Sequence, residues 1–267
     1  MRIISLNAWG GSIHAPLIDY LAHAEADVFC LQEVIRSAPD TPEWLEYRDG
    51  GTRLAQRARL YDEIAAVLPD HDGYFIPFAR GDLFHGETLF PSEFGIATFV
   101  RRSYPVIAQA ADFIHGRFSP DGWGEHPRSR NAHCIRLFDY AGGFSVTIAQ
   151  LHGLRDMAGK GDTPERIAQA EALVALIGRI HRQGDPLVVC GDFNVLPESS
   201  TFEILGRLGL TDLVTSRGFQ GTRTSLYPKE GKFADYMLVS ADVEVTRFEV
   251  VSTPEVSDHC ALMLEIA

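Results

Sequence analysis

Cysteine is scarce in this chain. Cys30, Cys134, Cys190 and Cys260 are its four cysteines, each set in an apolar strand-like segment and none in a CxxC spacing. A disulfide scaffold, a zinc knuckle and a thiol redox centre are therefore excluded, and reduced core residues remain. No apolar run reaches membrane-spanning length. Arg2-Ile3-Ile4-Ser5 enters a strand pattern directly, with no basic segment and apolar stretch ahead of it, so a cytoplasmic protein is expected. Basic residues are also short: 24 Lys and Arg stand against 36 Asp and Glu, a net charge of -12. The broad electrostatic footprint needed for long nucleic acid is missing. No tract rich in Pro, Gly, Ser or one sign of charge is long enough to be a linker, and no repeat is visible. One domain over residues 1–267 is expected, of ordinary globular composition at 45% hydrophobic and 22% charged residues.

Two catalytic signatures fail as well. Gly153 to Lys160 superficially suggests a phosphate-binding loop, but Gly161 stands where Ser or Thr is required. No Gly-x-Ser-x-Gly elbow occurs. ATPase and serine-hydrolase chemistry drop out.

What is present is a succession of short strand patterns broken by helices. Strands are expected from Arg2 to Ala8, Val28 to Gln32, Gly73 to Pro77, Gly95 to Val100, Ala132 to Phe138, Phe144 to His152, Leu187 to Cys190, Asp235 to Val239, Thr246 to Val251 and Cys260 to Ile266. Helices are expected from Pro16 to Ala24, Leu54 to Leu68, Asp162 to Arg182 and Thr201 to Leu208. In the clearest, Asp162 and Glu165 make a capping box, and Ile167, Ala170, Val174, Ile177 and His181 share a face. Many strands lie too close together for crossover helices, which favours antiparallel or mixed sheets. Ile35 to Arg53 and Phe113 to Asn131 read as long loops, the kind that carry function.

Polar side chains sit repeatedly at the ends of these strands. Gly191-Asp192-Phe193-Asn194 follows Leu187-Val188-Val189-Cys190. Alternation puts Asp192 and Asn194 on one side and Phe193 on the other, although an Asx-type turn fits the same four residues. Ser5-Leu6-Asn7-Ala8-Trp9, Cys30-Leu31-Gln32-Glu33 and Gln150-Leu151-His152-Gly153 end earlier strands. Asp235-Tyr236-Met237-Leu238-Val239 begins a late one, and Ser257-Asp258-His259 precedes the last. Recurrence of Asn, Glu, His and Asp at strand edges is the pattern of a sheet scaffold gathering one site.

These strings, in this order over essentially residues 1–267, resemble the endonuclease/exonuclease/phosphatase superfamily. That resemblance implies an α+β fold, a four-layer sandwich of two packed, largely antiparallel mixed sheets flanked by helices, and a divalent-metal phosphoesterase using activated water. It implies Glu33 as principal ligand of Mg²⁺ or Mn²⁺, with Asn7 beside it and Asp258 near the ion. Asp192 would orient or deprotonate the attacking water, and Asn194 would donate to a phosphoryl oxygen. Asp235 would orient His259, which activates the water or stabilises the pentavalent phosphorus. His152 matches the deoxyribonuclease, sphingomyelinase and 5-phosphatase branches, where apurinic-site endonucleases carry tyrosine; protonated, it would neutralise the phosphoryl group. Glu93 resembles the carboxylate that orients this histidine. Arg166 and Gln169 resemble the family's Arg-x-x-Gln helix and are expected to pack beneath the site.

Trp123, His126, Arg128 and Arg130 combine stacking surface with phosphate donors and are the expected substrate-recognition residues. The substrate is expected to be a compact phosphodiester or nucleic-acid end. A phosphomonoester metabolite or a sphingomyelin-like lipid is the alternative. A catalytically inactive binding module ranks last, because every matched position holds a competent residue. Nucleic acid is a possible partner and no obligate protein partner is indicated.

Overall fold

The structure is a computed structural model and describes residues 1–267. In chain order its first strands are β1 (Arg2–Asn7), β2 (Val28–Ser37), β3 (Trp44–Asp49), β4 (Thr52–Arg57), β5 (His71–His85), β6 (Thr88–Arg101) and β7 (Val106–His115). Then follow β8 (Arg130–Asp139), β9 (Phe144–His152), β10 (Leu187–Asp192), β11 (Leu210–Asp212), β12 (Asp235–Ser240), β13 (Val245–Val251) and β14 (Ala261–Ile266). The helices are α1 (His14–His23), α2 (Leu60–Val67), α3 (Pro164–Gly178), α4 (Ser200–Gly206) and α5 (Leu213–Ser216). None is long and apolar enough to cross a membrane.

Strands that are apolar on both faces take the middle of each sheet. An eight-stranded sheet runs β13-β14-β1-β2-β6-β5-β3-β4 and a six-stranded sheet runs β11-β12-β10-β9-β8-β7. All pairs are antiparallel except β1 with β2 and β9 with β10. Parallel neighbours need a crossover, and α1 and α3 provide one in each sheet. Both crossovers leave the carboxyl ends of β1, β2, β9 and β10 at one edge of the sandwich.

The largest core cluster joins inward residues such as Ile3, Cys30, Ile135, Ile148 and Val188 with Cys134 and Val189 on the other face of the six-stranded sheet and the buried face of α3. A second packs Leu17, Leu21, Leu60 and Ile64 of α1 and α2 on the outer face of the eight-stranded sheet, against Ile4, Leu6, Phe29 and Leu31. The four cysteines are free and buried, as expected.

A buried polar chain crosses between the sheets. Gln32 Nε2 donates to Gln150 Oε1 at 3.0 Å, and Gln150 Nε2 donates to Thr98 Oγ1 at 2.6 Å. Thr98 Oγ1 meets His133 Nδ1 at 2.8 Å, and His133 Nε2 meets Gln109 Oε1 at 3.3 Å. Burial pushes the His133 imidazole down to about 4, so the ring is neutral near pH 7. It then accepts from Thr98 at Nδ1 and donates to Gln109 at Nε2. Such a chain holds only in one alignment of the two sheets, because a slip would leave each member buried without its partner.

Several expected elements are placed differently. Residues 35–53 are mostly not loop. β2 continues to Ser37, and β3 and β4 form a hairpin turning at Gly50 and Gly51, both at positive φ. These strands sit at the sheet edge with one face in solvent, so they lack the apolar run that marks the central strands. The helix expected from Leu54 shrinks to α2, because β4 pairing takes the preceding residues. Thr163, not Asp162, caps α3, and Asp162 instead accepts from Ser199 Oγ and the Ser200 amide at α4. Ile167 is exposed, while Arg166, Ala170, Leu173 and Ile177 turn inward. The Phe113–Asn131 loop is shortened at both ends by β7 and β8, and Ser119 and Gly122 bridge to Ala79 and Arg80.

His133 makes the acid limb of stability testable. Its folded proton affinity lies below the unfolded value, so the unfolded chain binds the extra proton. Stability is full above about pH 6.5 and falls as pH drops toward 4, by at most about 3 kcal/mol from this group. His133→Gln should flatten that limb in urea titrations between pH 7 and pH 4.5. An unchanged pH slope would remove the buried, neutral histidine from this account.

Candidate active site

Register lines up the central row of the site. His152 pairs with Asp192 across β9 and β10, and Asp192 pairs with Asp235 across β10 and β12. Three adjacent strands thus present three polar side chains side by side, all buried. Gly191, at φ 141°, allows this approach: a Cβ there would lie 2.0 Å from the Leu151 carbonyl oxygen. The following turn is an Asx turn, with Asp192 Oδ1 accepting from the Asn194 amide at 2.9 Å. Asn194 takes a positive φ of 54°, and its Nδ2 donates to the Gly153 oxygen at 3.3 Å. Phe193 points into the core with no exposure. The Asx turn and the site are the same feature.

The other sheet brings Asn7 and Glu33. Asn7 is fully buried at the end of β1, and Glu33 sits in the irregularity between Leu31 and Val34 of β2 with φ 55°. Asn7 Nδ2 donates to Asp192 Oδ2 at 3.1 Å, joining the sheets directly. Its Oδ1 accepts from the Trp9 amide at 3.0 Å. Asn7, expected beside the metal, thus holds the Asp192 carboxylate in place.

His259 and Asp235 form a tight pair. His259 Nδ1 lies 2.9 and 2.8 Å from the two Asp235 oxygens, and Thr222 Oγ1 donates to Asp235 Oδ2 at 2.9 Å. Burial disfavours charge on both, raising Asp235 to about 7 and lowering His259 to about 4, the latter helped by Arg223. His259 Nε2 is thus an open acceptor, 3.7 Å from Asp192 Oδ2 and 3.7 Å from Asp258 Oδ1. His152 is also held neutral, by burial first and then by Arg130. The expected imidazolium at 152 gives way to a neutral ring, chiefly because the site is buried and then because cations lie nearby. Its Nε2 lies 3.7 Å from Glu33 and 3.9 Å from Asp192, and its buried Nδ1 has no hydrogen-bond partner.

Glu93 does not orient this ring. It stands between Arg36 and Arg80 across its neighbouring strands and forms no hydrogen bond or ion pair with His152. Trp123 is also displaced from its expected role. It packs against Tyr47 and Phe94, with ring centroids 5.8 and 6.1 Å away, and pins its loop to the body. Arg128, Arg130 and His126 do line a cavity of about 160 Å³ that opens beside Glu33 and His152. Arg130 is not in the loop but begins β8, where its Nε donates to the Gly153 oxygen at 2.8 Å. Arg166 and Gln169 lie beneath the site as expected: Gln169 Oε1 accepts from Leu154 N at 2.8 Å, and Arg166 Nη2 donates to the Gly159 oxygen at 2.8 Å.

Three cations were missed. Arg223 Nη1 donates to Asp258 Oδ2 at 2.7 Å, Lys160 donates to the Phe233 oxygen, and exposed Arg155 lines the cavity. Each is a single basic residue in a loop with no periodic context, so no sequence signal marks it.

The donor set fits a hard divalent ion. Glu33 is raised to about 7 by burial, then by the neighbouring Asp258 and Asp192 charges. Asp258 Oδ1 is buried without a hydrogen-bond partner. Such oxygens suit Mg²⁺ or Mn²⁺. Asp192, Asp235 and His259 also converge within 4.8 Å, but His259 Nδ1 and Asp235 are bonded to each other. Glu33 and Asp258 are the more open pair.

Residues 4–259 match the Endonuclease/Exonuclease/phosphatase family. Among curated proteins there is no match. Solved structures share the fold. The Bacteroides thetaiotaomicron mannosyl-6-phosphatase is 16% identical with a TM-score of 0.69, over 100% of this chain and 99% of its own. The human Nocturnin catalytic domain, with bound sulfate, is 18% identical with a TM-score of 0.66, over 100% of this chain and 93% of its own. An endonuclease/exonuclease/phosphatase from Beutenbergia cavernae is 16% identical with a TM-score of 0.70, over 100% of this chain and 71% of its own.

Glu33 links the ion to stability. Its folded affinity for a proton exceeds the unfolded one, so its charge costs nothing below about pH 4.5 and up to about 3 kcal/mol above pH 7. Glu33→Gln should therefore raise the melting temperature at pH 8 in EDTA and abolish most of the further rise that Mg²⁺ gives the wild type. A lower melting temperature in EDTA, or an undiminished Mg²⁺ shift, would contradict this placement.

Proposed function

The chain belongs to the endonuclease/exonuclease/phosphatase family of divalent-metal phosphoesterases, and on that premise we propose that it hydrolyses a small phosphate ester. The cavity beside Glu33 and His152 carries this reading. It is lined by Tyr47, Phe78 and Phe94 as well as by arginines, the partly apolar recess of a small-molecule enzyme rather than an open basic track. A monoester suits it best, a reading supported by the mannosyl-6-phosphatase that shares this fold. A compact phosphodiester or nucleic-acid end is the second reading, favoured by Arg128, Arg130 and Arg155 along the cavity wall. The net charge of -12 weighs against long duplex substrates. We take residues 1–267 to act as one cytoplasmic domain using Mg²⁺ or Mn²⁺.

In the reaction, water attacks phosphorus and gives its proton to His259 Nε2, which burial keeps free to accept it. Asp192 Oδ2, 3.7 Å from that nitrogen, orients the water. Asp235 holds the ring through Nδ1 and stabilises the imidazolium as it forms. Asn194 and neutral His152 donate N–H groups to phosphoryl oxygens, and Arg130 adds a fixed positive charge. Glu33 and Asp258 would hold a divalent ion, which would supply Lewis-acid stabilisation of the developing negative charge. The P–O bond to the alcohol breaks, the departing oxygen takes a proton from bulk water, and His259 releases the proton it accepted to solvent.

If His259 and Asp235 act as one unit, His259→Ala and Asp235→Ala should each lower kcat by about 10²- to 10⁴-fold. The double variant should lose little more. Additive losses would show that Asp235 does not serve His259. A metal-dependent panel of phosphomonoesters, 4-nitrophenyl diesters, single-stranded ends and plasmid duplex tests the substrate class. Small monoesters should lead it, and efficient, steeply salt-dependent cutting of duplex would overturn the reading.

A further inference from the structure

We propose that the cavity beside the reaction centre is a subsite for a second anionic group, so that the substrate is a compact phosphate ester carrying another phosphate or carboxylate. This rests on the small-ester reading above. Arg128, Arg130 and Arg155 all line this one recess. Only Arg128 is neutralised by the chain: its Nη2 donates to Asp49 Oδ2 at 2.7 Å and its Nη1 to the Tyr47 hydroxyl at 2.6 Å. Arg130 is 5% exposed and bonds only backbone carbonyls, those of Gly153 and Ser129. Arg155 is exposed and makes no hydrogen bond or ion pair. The one other carboxylate at the cavity is Glu33, which faces the divalent ion.

Like charges at this density are costly. Burial lowers Arg130 to about 10; the Glu33 and Asp192 carboxylates oppose that shift, and Arg128 and Arg155 add to it. A fold keeps such an arrangement where a ligand relieves it, and guanidinium groups around a cavity match the oxygens of phosphate or carboxylate. The scissile phosphate cannot relieve all three. Its own neighbours are Asn194, His152, His259 and Arg130, while Arg128 and Tyr47 stand at the β3–β4 hairpin end of the recess with Gly50, Thr52 and Leu54. Charged groups at both ends of the recess therefore select a molecule with anions at both ends. Tyr47 and Arg128 hold that hairpin against the loop before β8, so the subsite exists only when hairpin and loop are docked.

Calorimetric titration with α,ω-alkane bisphosphonates of three to six carbons, in excess Mg²⁺, tests this against monophosphonates of equal length. At the best length the bisphosphonate should bind about tenfold or more tightly, one added charge-assisted contact. Arg155→Gln and Arg128→Gln should each shrink that ratio toward one. Arg155 is at the surface, so its variant should fold even if loss of Arg128 loosens the hairpin, and melting curves would show which has occurred. No length above about twofold, or a ratio intact in Arg155→Gln, overturns the subsite. The phosphoesterase reading fails separately, if neither 4-nitrophenyl phosphate nor its bis-ester is hydrolysed with Mg²⁺ or Mn²⁺.

Discussion

The site depends on the two sheets meeting in a single alignment. Gln32, Gln150, Thr98 and His133 set that alignment through hydrogen bonds that cross the sandwich repeatedly. Hydrophobic contact alone tolerates small slides, whereas a buried amide without its partner costs about 1–3 kcal/mol. The chain begins next to Glu33, and Gln150 lies two residues before His152. The same bonds that hold the sandwich therefore fix the spacing between the metal-facing carboxylate of one sheet and the histidine of the other. Asn7 repeats the logic at the rim, bonding from one sheet to Asp192 of the other.

On this frame the molecule concentrates like charges that Arg223 on Asp258 and Asp49 on Arg128 relieve only in part. Glu33, Asp192 and Asp258 repel one another on the ion-facing side, and Asp258 Oδ1 has no partner. Arg128, Arg130 and Arg155 repel one another on the cavity side. Buried histidines between the two regions stay neutral because burial disfavours their charged form. A cation and an anionic ester relieve complementary halves of the same stress, so binding them stabilises the fold that holds them.

Strand-end strings were the most legible part of the chain. Asp192, Asn194, Asp235, Asp258 and His259 meet at one place as their order suggests, because each follows or precedes an apolar run whose burial is not negotiable. Glu93 and Trp123 failed for one reason. Their motif context placed them near the site in sequence, but side-chain direction depends on sheet pairing, which turned Glu93 toward Arg36 and Arg80 and seated Trp123 on Tyr47. The β3–β4 hairpin was read as loop because an edge strand needs apolar residues on one face only.

By itself the sequence determined the family, the α+β class, the central strands and the residue types gathered for metal-assisted chemistry, since those follow from local alternation and from motifs that span a few residues. Tertiary structure alone decided the cavity, the neutral state of His152, the bridging role of Asn7 and the part taken by Arg155, Arg223 and Lys160. Each of these is a property of distance and burial between segments far apart in the chain. Isolated basic residues in loops carry no local pattern, and only the packed sheets bring their charges close enough to matter.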